Sequence, residues 1–277
     1  MIKLENLEGT IVQYKRTSLK LETQIGNSAC LTYLAKDQNN GEFHVVKFGD
    51  HIVEEHKIMT LLRKSGGHPN VLTNSRIYKN RLQVNFSKSV KGNIDLNYLV
   101  LNYLGSKDLL KFLQSRKIIS PELCRDIFSQ LADGLTYIHK HKIVHGDIKP
   151  NNIVMVENED KIRPVIIDFD TIPGIESSIT GCRYYIPPEV WEEGKYLPQG
   201  DLYSLGVIMF KAISGHLPFS EGTREDIKRD HLKKPIPKIE KAPEGLAEIV
   251  TKLLQKDPKD RYQSAKELRK DLLKIKF

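Results

Sequence analysis

The stretch IVHGDIKPNNIVMV (143–156) places Asp147 and Asn152 five positions apart, and a second stretch, PVIIDFD (164–170), ends an apolar run in Asp168. An aspartate, an asparagine and a second aspartate supply hard oxygen ligands, and Mg²⁺ that carries phosphates needs few ligands from the protein. Any one of these side chains alone would fit a turn or the end of a strand. Together they indicate a site for phosphate-bound Mg²⁺, with one carboxylate left over as a base.

Asp170 follows Asp168 after a single residue. Alternate side chains of a strand point to the same side, so the two carboxylates share a side if the strand continues that far. Like charges repel unless a cation lies beside them. Asp170 therefore has two interpretations, as a second carboxylate at the metal or as a cap for the turn TIPG (171–174). We favour the cap because short acids are common in turns.

The composition is that of a soluble globular protein, with 277 residues, 39% of them hydrophobic and 28% charged, and a formal net charge of +8. The lysines are scattered, which indicates a solvated surface that favours anionic ligands, and no nucleic-acid partner is expected. No apolar run reaches the length of a membrane span, and the N-terminal residues lack the apolar stretch of a signal peptide, so we expect a cytoplasmic protein. Three widely spaced cysteines predict neither a disulfide framework nor a zinc cluster.

Hydrophobic periodicity changes near Gly105. Before it the pattern is mostly that of strands, with one amphipathic helix at 51–65. The predicted strands are 19–26, 30–37, 42–49 and 96–105. After it the predicted helices are 120–142, 200–214, 244–255 and 264–275. We therefore predict an α+β protein with a small β-rich domain (1–104), a larger helical domain (105–277) and a ligand cleft between them.

HGDIKPNN (145–152) resembles the catalytic loop HRDxKxxN of eukaryotic-type (Hanks-type) serine/threonine protein kinases, and the resemblance covers roughly residues 20–275. It implies the bilobal protein-kinase fold, with a β-rich N-lobe, a helical C-lobe and an ATP cleft between them. It also implies ATP and Mg²⁺ as cofactors and a protein substrate. By this resemblance Asp147 deprotonates the acceptor hydroxyl, Lys149 stabilises the transferring phosphoryl group, and Asn152 and Asp168 hold Mg²⁺.

The resemblance also places the ATP site. VVK ends in Lys47, which matches the lysine that grips the phosphates, and the following helix should supply a glutamate to pair with it. Glu54 and Glu55 both qualify, and the spacing in EHKIM favours Glu55. Leu101 matches the residue at the back of the adenine pocket. The remaining candidates for ATP binding are Gly26, Asn102, Tyr103, Leu104 and Asp108, the last of these for the ribose.

Three further segments resemble the C-lobe of the family: GCRYYIPPE (181–189), GDLYSLGVIMF (200–210) and DPKDRYQSAKEL (257–268). In the family, the aspartate at the position of Asp201 holds the backbone of the catalytic loop. The arginine at the position of Arg261 pairs with the glutamate at the position of Glu189, and we expect that pair to be structural.

The chain departs from the family in three places. Gly26 stands almost alone where the family has a glycine-rich loop, although the neighbouring residues are small. Gly146 replaces the arginine of HRD, so we expect activity without phosphorylation of the activation segment. Cys182 replaces a threonine that bonds to the catalytic aspartate and lysine, although Lys149 and its spacing still favour serine and threonine over tyrosine. Autophosphorylation remains possible at Ser177, Ser178 or Thr180.

Three functions remain open on these residues. The first is a transferase, an active serine/threonine protein kinase. The second is a pseudokinase or scaffold with weak or no ATP turnover, which the poor glycine loop favours. The third is a small-molecule kinase of the aminoglycoside or choline type, whose family has phrases similar to HGD and IDFD. The segments at 181–189 and 200–210 favour a protein kinase over this third function.

Overall fold

The protein is described by a computed structural model that covers residues 7–25, 30–87, 90–158, 161–169, 183–220, 222–240 and 242–277, with the backbone alone for 80–94. The chain forms two compact units. The first combines the described residues up to Gly66 with Thr73–Leu104, and the second combines Gly67–Leu72 with the described residues from Gly105 to Phe277. The boundary that the sequence suggests after residue 104 remains a prediction.

The first unit consists of a six-stranded antiparallel sheet and one helix. The strands are β1 (Ile11–Tyr14), β2 (Thr17–Gln24), β3 (Leu31–Asp37), β4 (Phe43–Phe48), β5 (Ser75–Ser87) and β6 (Val90–Asn102), in the order β1-β2-β3-β4-β6-β5. Helix α1 (Ile52–Lys64) follows β4 and buries one face, which consists of Ile52, Glu55, Met59 and Leu62. This spacing of three and four residues is that of an amphipathic helix.

The two edge strands of this sheet approach each other. The rings of Tyr14 on β1 and Tyr78 on β5 have their centroids 6.0 Å apart. The hydroxyl of Tyr98 donates to the carbonyl of Gln13 at 2.7 Å, and the hydroxyl of Tyr78 accepts from the backbone N–H of Lys15 at 3.3 Å. Tyrosines on β5 and β6 thus satisfy backbone groups of β1 or of the residue that follows it. The sheet therefore curls around an apolar core.

The second unit is mainly helical. Its helices are α2 (Leu109–Arg116), α3 (Pro121–Lys140), α4 (Pro188–Glu193), α5 (Pro198–Ser214), α6 (Arg224–Lys233), α7 (Glu244–Leu253) and α8 (Ala265–Leu272). Nearly every residue of α5 from Gly200 to Ile213 is buried, so α5 is the central helix of the unit. Helix α3 packs against α5 and α8. No helix among the described residues is long and apolar enough to cross a membrane, and the cytoplasmic location remains a prediction.

A two-stranded hairpin of β7 (Ile153–Asn158) and β8 (Lys161–Ile166) completes the second unit. The short segment 67–72 lies beside β8, where Val71 and Ile166 form a parallel bridge. The backbone N–H of Ile166 donates to the carbonyl of Asn70 at 2.8 Å, and that of Leu72 donates to Ile166 at 2.9 Å. These bonds explain why 67–72 groups with the second unit although its flanks belong to the first.

The α+β class predicted from the sequence is confirmed. The strand predicted at 96–105 is the end of a longer one, β6, which pairs along its length with β5. Strands β1, β5 and β7 and helices α2, α4 and α6 were not predicted. All of them except β5, which has 13 residues, have ten residues or fewer, and α6 is so highly charged that its apolar periodicity is weak.

Candidate active site

The loop between α3 and β7 brings three of the predicted residues together. The ammonium group of Lys149 donates to Oδ2 of Asp147 at 2.6 Å. The amide nitrogen of Asn152 donates to both the backbone carbonyl and Oδ2 of Asp147, each at 3.0 Å. Asn152 lies in a 3₁₀ turn (Pro150–Asn152) that begins after the extended residue Lys149, which folds the asparagine back onto the aspartate. One carboxylate is therefore held by two neighbours from its own loop.

The acid–base properties of Asp147 differ from those of a free aspartate. Burial raises the pKa of this carboxyl, and the nearby charge of Asp168 also raises it. The ammonium group of Lys149 acts in the opposite direction but does not cancel the effect of burial. A carboxylate with a raised pKa is a stronger base, which is the property that a proton acceptor requires.

The carboxylate of Asp201, in the first turn of α5, holds the backbone of this loop in place. It accepts from the backbone N–H groups of His145 at 2.9 Å and Gly146 at 2.8 Å. The imidazole Nε2 of His139, in the last turn of α3, lies 2.8 Å from the same carboxylate. Gly146 has φ +74°, a left-handed conformation that glycine adopts without strain. The contact from Asp201 to the loop, expected from the resemblance, is present.

The ring of His145 connects the loop to the residues before Asp168. Its Nδ1 accepts from the backbone N–H of Asp147 at 3.3 Å, so Nε2 carries the proton and donates to the carbonyl of Ile167 at 3.1 Å. Phe169 is buried and its ring centroid lies 5.1 Å from that of His145. His145 thus connects the loop to Ile167 and Phe169, which follow β8.

Asp168 has φ +74°, which is unusual for a residue other than glycine. Such a conformation costs about 1–3 kcal/mol and is found where the surroundings impose it, often at functional sites. Asp168 lies two residues beyond β8, near enough to Asp147 to affect its pKa. The strained backbone indicates that the direction of the Asp168 side chain is important.

The oxygen donors of this loop fit Mg²⁺ bound to phosphates. Because the amide nitrogen of Asn152 is used on Asp147, the amide oxygen of Asn152 points away from Asp147. With Asp168 this gives two hard oxygen ligands, and Mg²⁺ usually keeps several waters and substrate oxygens. In the parts of the chain that the structure describes, no group of three or more His, Cys, Asp or Glu side chains would hold a metal ion by itself. The ligand roles of Asn152 and Asp168 remain predictions.

In the first unit, the ammonium group of Lys47 on β4 donates to Oε2 of Glu55 on α1 at 2.7 Å. Both side chains are buried, with exposed fractions of 5% and 1%. Glu54 is exposed and pairs with Lys57 at 2.6 Å on the surface of the helix. The ion pair that the resemblance implies is therefore present, and it uses Glu55. The contact of this pair with ATP remains a prediction.

The candidates for the adenine pocket lie at the end of β6 and just after it. Leu101 is buried and is flanked by Val45 on β4 and Ser75 on β5. Asn102 ends β6 and Leu104 lies two residues beyond it. The ring of Tyr103 lies 6.1 Å from that of Phe43. The role of these residues at adenine is untested.

Asp108 has a local function in the second unit. It is the N-cap of α2 and its side chain accepts from the backbone N–H of Lys111 at 2.8 Å. A ribose contact would have to be made alongside this cap. Several other sequence candidates lie outside the described residues: Gly26, Asp170, Ser177, Ser178, Thr180 and Cys182.

A second buried ion pair lies in the helical unit. The guanidinium group of Arg261 donates to both carboxylate oxygens of Glu189, at 2.8 and 2.7 Å. Its remaining donors reach the backbone carbonyls of Gln199, Gln255 and Lys256. The pair expected from the resemblance is present and connects four chain segments.

Sequence reasoning missed Tyr196, in the loop between α4 and α5. Burial raises the pKa of its phenol, and the charge of Asp147 raises it further, so the ring lies within the field of that carboxylate. A lone tyrosine in a loop carries no pattern that would have identified it. His139 was missed too, although its position six residues before His145 in YIHKHKIVH was visible.

Comparison with known proteins agrees with this geometry. The family model of the protein kinase domain matches residues 19–273. A probable serine/threonine-protein kinase of Clostridium perfringens is 32% identical over 194 residues, which are 66% of this chain and 28% of that protein. Another, of Clostridium acetobutylicum, is 28% identical over 271 residues, 93% of this chain and 40% of that protein. Aurora kinase C of Mus musculus is 29% identical over 173 residues, 62% of this chain and 63% of that protein. This chain thus spans less than half the length of the two bacterial relatives.

Proposed function

Because this chain belongs to the protein kinase family, we propose that it transfers the γ-phosphoryl group of ATP to serine and threonine hydroxyls of proteins. The observation that carries the proposal is the partly buried carboxylate of Asp147, held by Lys149 and Asn152. The names of the relatives, which include bacterial serine/threonine-protein kinases, support the acceptor class.

In the proposed reaction, the oxygen of the acceptor hydroxyl forms a bond to the γ-phosphorus while the bond from that phosphorus to the ADP oxygen breaks. Asp147 accepts the proton of the hydroxyl, and its raised pKa supports this role. Lys149, 2.6 Å from Asp147, supplies positive charge beside the phosphoryl group. The products are a phosphorylated hydroxyl and ADP.

Asn152 and Asp168 would hold Mg²⁺, which when bound neutralises charge on the phosphate oxygens. Lys47, whose ammonium group is held in position by Glu55, is also proposed to neutralise charge on the phosphate oxygens. Asp201 keeps the loop rigid, so that Asp147 and Asn152 do not have to be ordered when the substrate arrives.

The test is transfer of labelled phosphate to a protein acceptor by the wild type, Asp147→Asn and Asp168→Ala. Loss of a proton acceptor typically costs about 10²–10⁴-fold in rate, so Asp147→Asn should lose most activity while its circular dichroism is unchanged. Asp168→Ala should lose activity and its response to Mg²⁺ together. The matched control is Asp126→Asn, whose carboxylate is exposed and pairs only with Arg125 in the described residues. Full activity in either variant would remove the assigned role.

Gly146 bears on regulation. Since this position carries no cation next to Asp147, no negative charge on the activation segment is needed to neutralise it. We therefore infer that activity does not require phosphorylation at Ser177, Ser178 or Thr180. Mass spectrometry after incubation with ATP and Mg²⁺ would reveal any modification, and the triple alanine variant should keep the activity of the wild type. Loss of activity in that variant would contradict this inference.

A thermal-shift assay and a comparison of phosphate acceptors address the other two functions. A thermal shift with ATP and Mg²⁺ but no transfer would indicate a nucleotide-binding pseudokinase. Transfer to small alcohols instead of proteins would indicate a small-molecule kinase. We expect a thermal shift together with transfer to protein.

A further inference from the structure

Helix α1 is joined to the sheet by two polar contacts from consecutive residues. Glu55 binds Lys47 on β4, as described above, and the next residue, His56, binds β5. Its Nδ1 lies 2.9 Å from the hydroxyl of Ser75. Ser75 is 4% exposed, so its hydroxyl is buried and needs a hydrogen-bond partner within the protein. The imidazole of His56 supplies that partner.

The two contacts lie on the same face of the sheet but on opposite sides of β6. Lys47 is opposite Leu99 of β6, and Ser75 is opposite Leu101. Leu99 and Leu101 are two residues apart, so they and their opposite neighbours share one face of the sheet. Strands β4 and β5 are separated by β6 and are therefore about 10 Å apart. Helix α1 is thus fixed at two points across three strands.

This arrangement restrains rotation of α1 about its axis. Consecutive residues of a helix are about 100° apart, and a glutamate carboxylate lies about 6 Å from the axis, so a rotation of about 30° moves it by about 3 Å. Such a movement would break the 2.7 Å contact between Lys47 and Glu55. The same rotation would break the contact between His56 and Ser75. Each contact therefore opposes the loss of the other.

We propose that His56 is a positioning residue for phosphoryl transfer, which holds α1 in the rotation that keeps Glu55 on Lys47 by binding Ser75. This proposal rests on the proposed kinase function, since the ion pair matters only if Lys47 serves a phosphate. His56 itself contacts neither ATP nor substrate in this account.

The chemistry of the histidine suits this position. Burial lowers the pKa of His56, and the charge of Arg63 lowers it further, so the imidazole is neutral at neutral pH. A neutral ring adds no charge next to the buried ion pair. Its Nε2 lies 3.5 Å from the hydroxyl of Thr60, one turn along the same helix, which steadies the ring. Histidine can therefore bind the strand without a desolvation penalty for a charge.

The first test compares kinetics of His56→Ala, His56→Asn and Ser75→Ala with the wild type. An asparagine amide occupies nearly the place of Nδ1, so His56→Asn should keep the contact. We expect His56→Ala and Ser75→Ala to lower kcat/KM for ATP about 10-fold, the cost of one lost hydrogen bond of about 1.4 kcal/mol, and His56→Asn to restore most of it. Lys57→Ala, on the exposed side of the same helix, is the control and should match the wild type.

The second test asks whether His56 acts through Glu55. In a double-mutant cycle, His56→Ala should have little further effect once Glu55 is replaced by Gln, because the contact that it protects is already lost. A purely structural role would give additive effects. Additive effects, or an unchanged kcat/KM in His56→Ala and Ser75→Ala, would overturn the proposal.

A third readout does not depend on activity. The side chain of Lys47 is 5% exposed while it is paired with Glu55, so a rotation of α1 that releases this contact should make its amine more accessible to reagents. Labelling with an amine-reactive ester, measured at Lys47 by mass spectrometry, should therefore increase in His56→Ala but not in Lys57→Ala. If the wild type transfers no phosphate, the proposed function fails, while this labelling still tests the positioning. Equal labelling of Lys47 in the wild type and in His56→Ala would refute the positioning role of His56.

Discussion

Two buried ion pairs in the described part of the chain differ in how they are built. Lys47 and Glu55 connect one strand and one helix through a bond of 2.7 Å. Arg261 binds both oxygens of Glu189 and also three backbone carbonyls, so its guanidinium group connects four segments. The planar fork of arginine has fixed geometry, whereas the ammonium group of lysine is a point charge on a flexible stem.

This difference indicates that the pair of Arg261 and Glu189 is structural, whereas the pair of Lys47 and Glu55 can respond to a movement of α1. Moving any one of the segments around Arg261 would disturb one or two of its hydrogen bonds, and the other hydrogen bonds would still hold the guanidinium group in place. A rotation of α1 alone is enough to separate Lys47 from Glu55. The comparison therefore predicts that damage to the pair of Arg261 and Glu189 appears in stability, and that damage to the pair of Lys47 and Glu55 appears in activity.

The largest effect is expected for Arg261→Ala. This variant leaves the buried carboxylate of Glu189 without its partner and frees three carbonyls, and it should lower the free energy of unfolding by about 3–5 kcal/mol. Urea denaturation followed by circular dichroism measures this. Arg229→Ala is the matched control, because that arginine is 61% exposed and its pairs with Asp226 and Asp230 should contribute about 0–1 kcal/mol. Equal losses of unfolding free energy in the two variants would show that burial and hydrogen-bond geometry do not decide how much these ion pairs contribute to stability.

Lys47→Met is expected to act mainly on catalysis. The loss of one preorganised charge at a transferring phosphoryl group should lower kcat/KM by about 10²–10³-fold. Its unfolding free energy should fall less than that of Arg261→Ala, because methionine fills most of the space of the lysine side chain, whereas alanine leaves the space of a buried arginine side chain empty. Lys20→Met, an exposed lysine of the same sheet, should retain activity. A stability loss in Lys47→Met as large as in Arg261→Ala would remove the distinction between the pairs.

A smaller loss of stability is expected when the pH is lowered, and it comes from a histidine near the pair of Arg261 and Glu189. Arg261 lies over the ring of Tyr203, whose hydroxyl is 2.9 Å from Nδ1 of His231. Burial, with the charge of Lys256, lowers the pKa of His231 to about 3. Because unfolded His231 binds a proton below about pH 6.5 and the folded form does not, stability falls as pH falls from 6.5 towards 3.

At pH 5 this histidine alone should cost about 2 kcal/mol of unfolding free energy relative to pH 7. Denaturation curves at both pH values, for the wild type and for His231→Asn, measure it. The variant will be less stable at pH 7, but the loss on acidification should be smaller by about that amount. An identical pH dependence in the two proteins would show that His231 is not buried in its neutral form.

The sequence placed the residues of the loop at 145–152 near one another because they are close in the chain, and their contacts are present in the structure. Asp147, Lys149 and Asn152 lie within six positions, so one turn brings them together, and the short-range pattern contains the geometry. The choice of Glu55 over Glu54 followed from spacing along one helix. The resemblance to Hanks-type serine/threonine protein kinases, which rested on such local patterns, is confirmed.

Contacts between distant residues were harder to predict. Strand β1 lies outside the residues that match the family, and it is held by tyrosines more than sixty positions away, Tyr78 and Tyr98. The contact between His56 and Ser75 depends on a helix crossing from β4 towards β5. Neither a histidine nor a serine carries a sequence pattern that would predict a contact between residues 19 positions apart.

The sequence by itself determined which side chains are proposed to carry the chemistry, because acid, base and metal-ligand properties belong to residue types and short spacings. It also determined that Gly146 leaves Asp147 without a neighbouring arginine. Only the tertiary structure decided the direction and environment of these groups, including the raised pKa of Asp147, the strained backbone of Asp168 and the contact that fixes α1. Burial, charge proximity and long-range hydrogen bonds depend on how distant segments pack, and no local pattern contains that information.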